Sequence, residues 1–178
     1  IPYTGEKYLL TDLSAEQSWV ADQWKQGNVP DDALRVAFNT GAGKVFATKK
    51  WSIDGYADLG RMLIENFASR IFLLGGELEL ERNHTIASKI GHPGKVLLID
   101  TRDSLQRLAA FIGNCHLMVT GDTLGLHLAI ATGCPSVALF GPTCHQEIDL
   151  FGKGAKVISD FPCCPCYRPA CSQESYCM

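Results

Sequence analysis

Short apolar runs alternate with amphipathic stretches along most of the chain. Residues 34–39 (Leu-Arg-Val-Ala-Phe-Asn), 70–74, 95–99, 115–120 and 136–140 are brief runs bounded by turn residues, the pattern of buried strands. Residues 155–159 form a sixth. Between them the apolar positions fall at helical spacing. Ser52 is placed to cap a helix that turns Ile53, Tyr56, Ala57, Leu59, Leu63, Ile64 and Phe67 mostly inward. Residues 79–90, closed by Gly91, form a second helix, and 104–112 a third. Residues 126–132 form a fourth, with Gly133 at its C′ position and Pro135 as its stop. Ahead of this series, Ser14 and Gln17 match a capping box. They predict a helix through Trp19, Val20 and Trp24 ending at Gly27. Tyr8-Leu9-Leu10 reads as a short edge strand, and residues 28–32 as a turn.

Strand and helix in strict alternation predict a parallel sheet covered on both faces through right-handed crossovers. The expected fold is therefore α/β, a Rossmann-like doubly wound parallel sheet. The chain divides into an N-terminal segment or linker with one helix (1–33), the α/β domain (34–160) and a Cys-rich tail (161–178). In such a sheet every strand points the same way, so the loops after the strands gather at one rim, where ligands of open α/β sheets bind.

Four loops meet at that rim. Residues 40–50 carry Lys49 and Lys50, either able to neutralise a phosphate. Residues 75–79 offer Glu77 and Glu79. Residues 120–125 offer Asp122 and a helix start whose N–H groups, at Thr123, Leu124 and Gly125, suit an anion. Residues 141–147 offer Thr143 and His145. Cations and a helix N-terminus on one side, with carboxylates on the other, suit a nucleotide-sugar: the diphosphate takes the positive groups and the hydroxyls take the acids. Each residue also has an ordinary structural use. Asp122 and Thr123 serve as N-caps, His127 as a half-buried histidine, the lysines as a solvated loop, and the glutamates as an acidic first turn.

Composition narrows the classes. The chain has 178 residues, 46% hydrophobic, with a formal charge of −3. That balance describes a globular protein and gives no footprint for nucleic acid or an anionic membrane. No apolar run is long enough to span a bilayer, and no signal-peptide pattern opens the chain, so a cytoplasmic location is expected. The first residue is Ile1 rather than Met, which suggests a fragment. There is no Walker A pattern, no Gly-x-Gly-x-x-Gly after the first strand and no Gly-x-Ser-x-Gly elbow.

Of eight cysteines, Cys115, Cys134 and Cys144 sit singly beside apolar segments and read as small buried hydrophobes. The other five crowd the end of the chain. Cys163, Cys166, Cys171 and Cys177 give four thiols at short spacing, with Cys164 spare. Without a secretory signal, such a cluster points to a structural metal, tetrahedral zinc first and an iron–sulfur cluster second, with free or adventitiously paired thiols as the alternative.

Several of these motifs together resemble the C-terminal half of the family-nine glycosyltransferases, among them the ADP-heptose:lipopolysaccharide heptosyltransferases. Asn39-Thr40-Gly41-Ala42-Gly43 with Lys49-Lys50-Trp51 is similar to the family's Gly-rich turn and Lys-x-Trp. Leu73-Leu74-Gly75-Gly76-Glu77-Leu78-Glu79 is similar to its second-strand loop, Asp122-Thr123-Leu124-Gly125-Leu126-His127 to its Asp-Thr/Ser-Gly-x-x-His signature, and Phe140-Gly141-Pro142-Thr143 to its closing turn. Leu124 stands where the common signature has Gly, while the Asp-to-His spacing is kept. The resemblance implies the second half of a GT-B enzyme that moves a heptose-like sugar, with inversion, from a nucleotide diphosphate such as ADP-heptose to lipopolysaccharide core. It implies Lys49 on the diphosphate and backbone donors from Thr123, Leu124 and Gly125. It implies Asp122 on sugar hydroxyls, Glu79 (less so Glu77) on the ribose, and His127 supporting the loop or approaching the phosphates. No cofactor is needed for that binding. The acceptor site and catalytic base would belong to a preceding domain, so the fragment would be inactive alone, and the full-length enzyme could sit at the inner face of the inner membrane. Some relatives resemble the chain in a Cys-rich end too, which implies a structural clip. Two other classes fit the same architecture: a nucleotide-sugar epimerase, and a non-catalytic nucleotide- or metal-binding regulator.

Overall fold

A computed structural model describes residues 8–173 and 177–178. Six parallel strands form one sheet: β1 (Arg35–Asn39), β2 (Arg70–Gly75), β3 (Val96–Asp100), β4 (Leu117–Gly121), β5 (Ser136–Phe140) and β6 (Gly154–Ile158). Their order across the sheet is β3-β2-β1-β4-β5-β6, with Asn39 beside Leu74 on one side and Thr120 on the other. Helices α1 (Gln17–Gln26), α2 (Ile53–Phe67), α3 (Leu80–Ile90), α4 (Leu105–Gly113) and α5 (Leu124–Thr132) cover it.

Side-chain alternation along the strands splits the core in two. Val36, Phe38, Ile71, Leu73 and Val119 face one side, where Tyr56 and Ile64 of α2 and Ile86 and Ile90 of α3 cover them. Ala37, Phe72, Leu74 and Met118 face the other, under Phe111 and Ile112 of α4 and Leu128 of α5. The central strands β1, β2, β4 and β5 are covered on both faces because each carries apolar residues at consecutive positions, while the edge strand β6 is largely exposed.

The helix ends follow local chemistry. The Ser52 hydroxyl accepts the Gly55 N–H at 2.9 Å and starts α2, and Ser104 does the same for Arg107 in α4. Gly91 and Gly133 close α3 and α5 in the left-handed region, where a Cβ would be strained.

Several expectations change. The capping box at Ser14 does not form: the Ser14 hydroxyl donates to Asp12 Oδ2 at 2.7 Å, and a single 3₁₀ turn precedes α1. Tyr8, Leu9 and Leu10 form no strand: Tyr8 packs on His127 and Phe151, and Leu9 is almost fully exposed. Phe67 points outward at the last turn of α2. Cys144 is only half-buried, since it lies on the rim loop rather than inside the sheet. Helix α1 packs its tryptophans against the core. Trp24 packs against Phe72 and Phe111, and Trp19 against Phe111, so two large aromatic surfaces leave water under α4.

Candidate donor-binding cleft

The strand order reverses between β1 and β4. The chain leaves β1 for α2 on one face, and leaves β4 for α5 on the other. Neighbouring strands whose connections part in this way leave a crevice at their carboxyl ends. Here it is a cleft of about 480 Å³, and its walls include Asn39, Gly41, Lys49, Glu79 and residues 122–125.

The centre is tied together by side chains from both strands. Asn39 Nδ2 donates to Thr120 Oγ1 at 3.0 Å and to Thr123 Oγ1 at 2.7 Å. Thr123 occupies the N-cap of α5, yet its hydroxyl is engaged with Asn39 and Thr120 and does not cap the helix. Among the described residues no side chain caps α5, so the first N–H groups of the helix stay open toward the cleft. A Cβ on Gly125 would lie 2.7 Å from Met118 Cε and 2.9 Å from Asn39 Nδ2. Only glycine lets the helix start this close to the strand ends.

Lys49 ends a 3₁₀ turn, Ala47–Lys49, laid over the end of β4. Its carbonyl would be 3.0 Å from a Cβ on Gly121. Its ammonium donates to Asp122 Oδ2 at 2.9 Å and to the Asp122 carbonyl at 3.1 Å. A cation is thus held beside the open end of α5, at the mouth of the cleft, and among the described residues no group donates to Asp122 Oδ1.

Glu79 forms the opposite wall. It is buried, its Oε2 accepts the Gly76 N–H at 3.1 Å, and Lys50 Nζ lies 3.4 Å from Oε1. Lys50 thus neutralises Oε1 as an ion pair, and among the described residues no group donates a hydrogen bond to it. Such a group is costly unless something donates to it. Gly41 passes so close that a Cβ there would meet the Glu79 carboxylate at 2.7–2.8 Å.

Two residues brace the loop carrying Lys49. Arg82 donates to the carbonyls of Thr40 and Trp51, pinning both ends of the loop. Burial lowers its pKa, and the negative charge of Glu79 opposes that effect. Tyr56 OH donates to the Asn39 carbonyl at 2.9 Å, and burial pushes this phenol well above its ordinary range, so it remains a donor.

The structure therefore brings Lys49, Glu79, Asp122, Thr123, Leu124 and Gly125 into one cleft. It leaves out His127, whose ring stacks on Tyr8 and whose Nδ1 meets Tyr8 OH at 3.1 Å. Glu77 lies outside on an open surface with Asp100 and Arg102. The loop at 141–147 turns away too: the Pro142 carbonyl accepts from the N–H groups of Cys166 and Tyr167. Asn39 has no assigned role in the sequence reading, although an amide at the last position of the first strand is a recognisable signal. Arg82, Thr101 and Arg102 carry none, because what matters is where a helix face and a neighbouring strand end come to rest.

Behind Lys49, the tail cysteines Cys163, Cys166, Cys171 and Cys177 line a separate cavity of about 440 Å³. Among the described residues, no three His, Cys, Asp or Glu side chains stand close enough to hold one metal ion. As placed, they do not form the tight tetrahedron a single zinc requires.

A parallel sheet of this order, covered by helices on both faces, defines a Rossmann-like domain of the kind found in GT-B glycosyltransferases. Residues 6–177 match glycosyltransferase family 9 (heptosyltransferase), and the chain belongs to that family. It is similar to lipopolysaccharide heptosyltransferase 1 of Pseudomonas aeruginosa, 29% identical over 133 residues, which are 74% of this chain and 36% of the relative. Its fold is similar to E. coli ADP-heptose lipopolysaccharide heptosyltransferase II, with TM-score 0.74 and 22% identity over 88% of this chain and 47% of that one. An E. coli heptosyltransferase solved with ADP-2-deoxy-2-fluoro heptose gives TM-score 0.58 and 22% identity over 87% and 44%. The chain thus spans about a third of the curated relative and about half of the solved ones. Among the described residues no helix is long and apolar enough to cross a membrane.

Proposed function

We propose that this chain is the donor-binding half of an inverting glycosyltransferase that moves a heptose-like sugar from an ADP-linked donor to lipopolysaccharide core or a related surface glycan. The observation that carries the reading is the meeting of Lys49, the open start of α5 and the buried Glu79 carboxylate, ion-paired with Lys50, in one cleft.

The roles follow from the chemistry. Lys49 and the N–H groups at Thr123, Leu124 and Gly125 hold the diphosphate. Asp122 Oδ1 accepts a sugar hydroxyl. Glu79 Oε1 accepts from the ribose, which satisfies it. In transfer, an acceptor hydroxyl attacks the anomeric carbon, its proton passes to a base, and the bond to the diphosphate breaks. Charge then grows on the leaving diphosphate, where Lys49 and the helix start already point; donors fixed before the reaction are the efficient kind. The base and the acceptor site belong to a preceding domain, so this chain alone binds donor without transferring it. An acceptor in a lipopolysaccharide precursor would bring the intact enzyme to the inner face of the inner membrane. His127 positions the N-terminal segment through Tyr8 rather than touching phosphate.

Calorimetry on the chain with ADP, ADP-sugar and pyrophosphate tests this reading. ADP and ADP-sugar should bind. Glu79→Gln should weaken ADP by about 10- to 100-fold, through loss of a charged acceptor worth about 1.5–3 kcal/mol, and leave pyrophosphate unchanged. No heat with ADP or ADP-sugar at millimolar concentration would overturn it.

A further inference from the structure

We propose that Arg82 is a positioning residue for donor binding: its guanidinium bridges the two feet of the loop at 40–51 and so sets where Lys49 stands. The inference rests on the donor-site reading above. The loop leaves β1 at Thr40 and reaches α2 through Trp51. Arg82, half-buried on the first turn of α3, donates Nε to the Thr40 carbonyl at 3.2 Å and Nη2 to the Trp51 carbonyl. One planar group thus joins the opposite ends of the loop. The middle of the loop offers no substitute. Gly43 has open space where a side chain would be, and Val45 is 68% exposed. Trp51 lies just after the turn Ala47–Lys49, and its ring packs edge-on against Tyr56 with centroids 4.9 Å apart. Fixing the Trp51 carbonyl therefore fixes the turn that aims the Lys49 ammonium.

The arrangement asks for arginine in particular. A guanidinium is a rigid fork that serves two acceptors at once, whereas a lysine ammonium is a point charge on a flexible stem. Glu79 and Lys50 stand on the same wall, ion-paired at 3.4 Å. A lysine at position 82 would keep the charge balance around Glu79 yet hold only one foot. The other tethers of the turn are the Lys49–Asp122 pair, at 2.9 Å, and the Thr48 hydroxyl on the Arg168 carbonyl, at 2.8 Å. They reach it from the cleft and from the tail, not at its feet. Asn83, the next residue of α3, accepts the Thr40 hydroxyl and donates to the Leu74 carbonyl at 3.3 Å. It braces one foot to the end of β2 and has no bond to Trp51.

Calorimetry with ADP and with pyrophosphate tests this on the unaltered chain, Arg82→Lys, Lys49→Ala, the double variant and Asn83→Ala. Arg82→Lys should weaken ADP and pyrophosphate by the same factor, about tenfold, whereas Glu79→Gln spares pyrophosphate. Arg82→Gln, which also reaches one carbonyl only, should behave alike. Residues that act through one another are not additive, so the double variant should bind ADP at most about threefold more weakly than Lys49→Ala alone. Asn83→Ala should lower the urea midpoint yet keep pyrophosphate affinity within about twofold. Three results would each overturn the inference: affinities of Arg82→Lys within about twofold of the unaltered chain, a double variant weaker than Lys49→Ala by the full factor of about ten, or an equal loss of pyrophosphate in Asn83→Ala. If the unaltered chain binds no ADP, the donor-site reading falls first and takes this inference with it.

Discussion

The cleft and the cysteine-lined cavity are of nearly equal size and lie on either side of one short turn, Ala47–Lys49, yet they are built in opposite ways. The cleft is made by the ends of strands. Its polar groups are bonded to one another across β1 and β4, so Asn39, Thr120 and Thr123 hold their places before any ligand arrives. The tail cavity is made by irregular backbone and lined by four cysteines. A pre-formed site can spend its binding energy on the ligand; a site without a scaffold needs the ligand to complete it. The lesson is that equal volumes have unequal rigidity, and variants on each side should behave accordingly.

The sharpest break in this comparison is Lys49→Ala. It removes the cation at the cleft mouth and leaves Asp122 unpaired, a carboxylate 17% exposed facing an incoming anion. Loss of a charge-assisted contact of about 1.5–3 kcal/mol, with the uncovered repulsion added, should weaken ADP-sugar about 100-fold or more by calorimetry. Undiminished ADP-sugar affinity would remove Lys49 from the site.

This difference in construction also governs what can be read along the chain. Lys49, Glu79 and residues 122–125 all follow strands directly, and a strand end fixes where the next few residues go. Their meeting in one cleft follows from alternation alone, and the family resemblance adds roles. The split of α2 and α5 to opposite faces, which opens the crevice, depends on the strand order 3-2-1-4-5-6 and has no local signal. His127 shows the same limit from the other side. Its spacing from Asp122 places it one turn into α5, but helical rotation carries its ring to Tyr8 and away from the cleft. The capping box at Ser14 fails because a nearer acceptor, Asp12, takes the hydroxyl, a competition common to short polar side chains near helix starts. The tail cysteines are visible as a cluster, but their spacing says nothing of how wide a chamber they enclose.

A smaller effect comes from the brace inside the cleft. Asn39→Ala deletes the donor shared by Thr120 and Thr123 and leaves both hydroxyls to each other. The expected loss is about 1–2 kcal/mol of stability, read as a lower urea midpoint with an unchanged slope. ADP affinity should fall a few-fold, because the start of α5 is then held less firmly. If stability is unchanged, the cleft is not pre-built in the sense argued here, and its contrast with the tail weakens.

The smallest effect belongs to the lip of the cleft, at Asp100 and Arg102. Arg102 donates to both carboxylate oxygens of Asp100, at 2.8 and 2.6 Å, and its hydrogen bonds hold that carboxyl down at about 2 against an ordinary 3.8. A carboxyl depressed in the folded state stabilises it above the unfolded value. That contribution is lost as pH falls from 3.8 toward 2. Both side chains are well exposed, at 60% and 44%, so solvent screens the pair and its worth is slight. Asp100→Asn should therefore leave thermal unfolding at neutral pH within error of the unaltered protein, with any difference vanishing in acid. ADP affinity should also be unchanged, since the rigidity of the cleft comes from the strand ends and not from its lip. A clear loss of nucleotide binding in Asp100→Asn would show that the lip takes part in the site, and would extend the pre-built region out to β3.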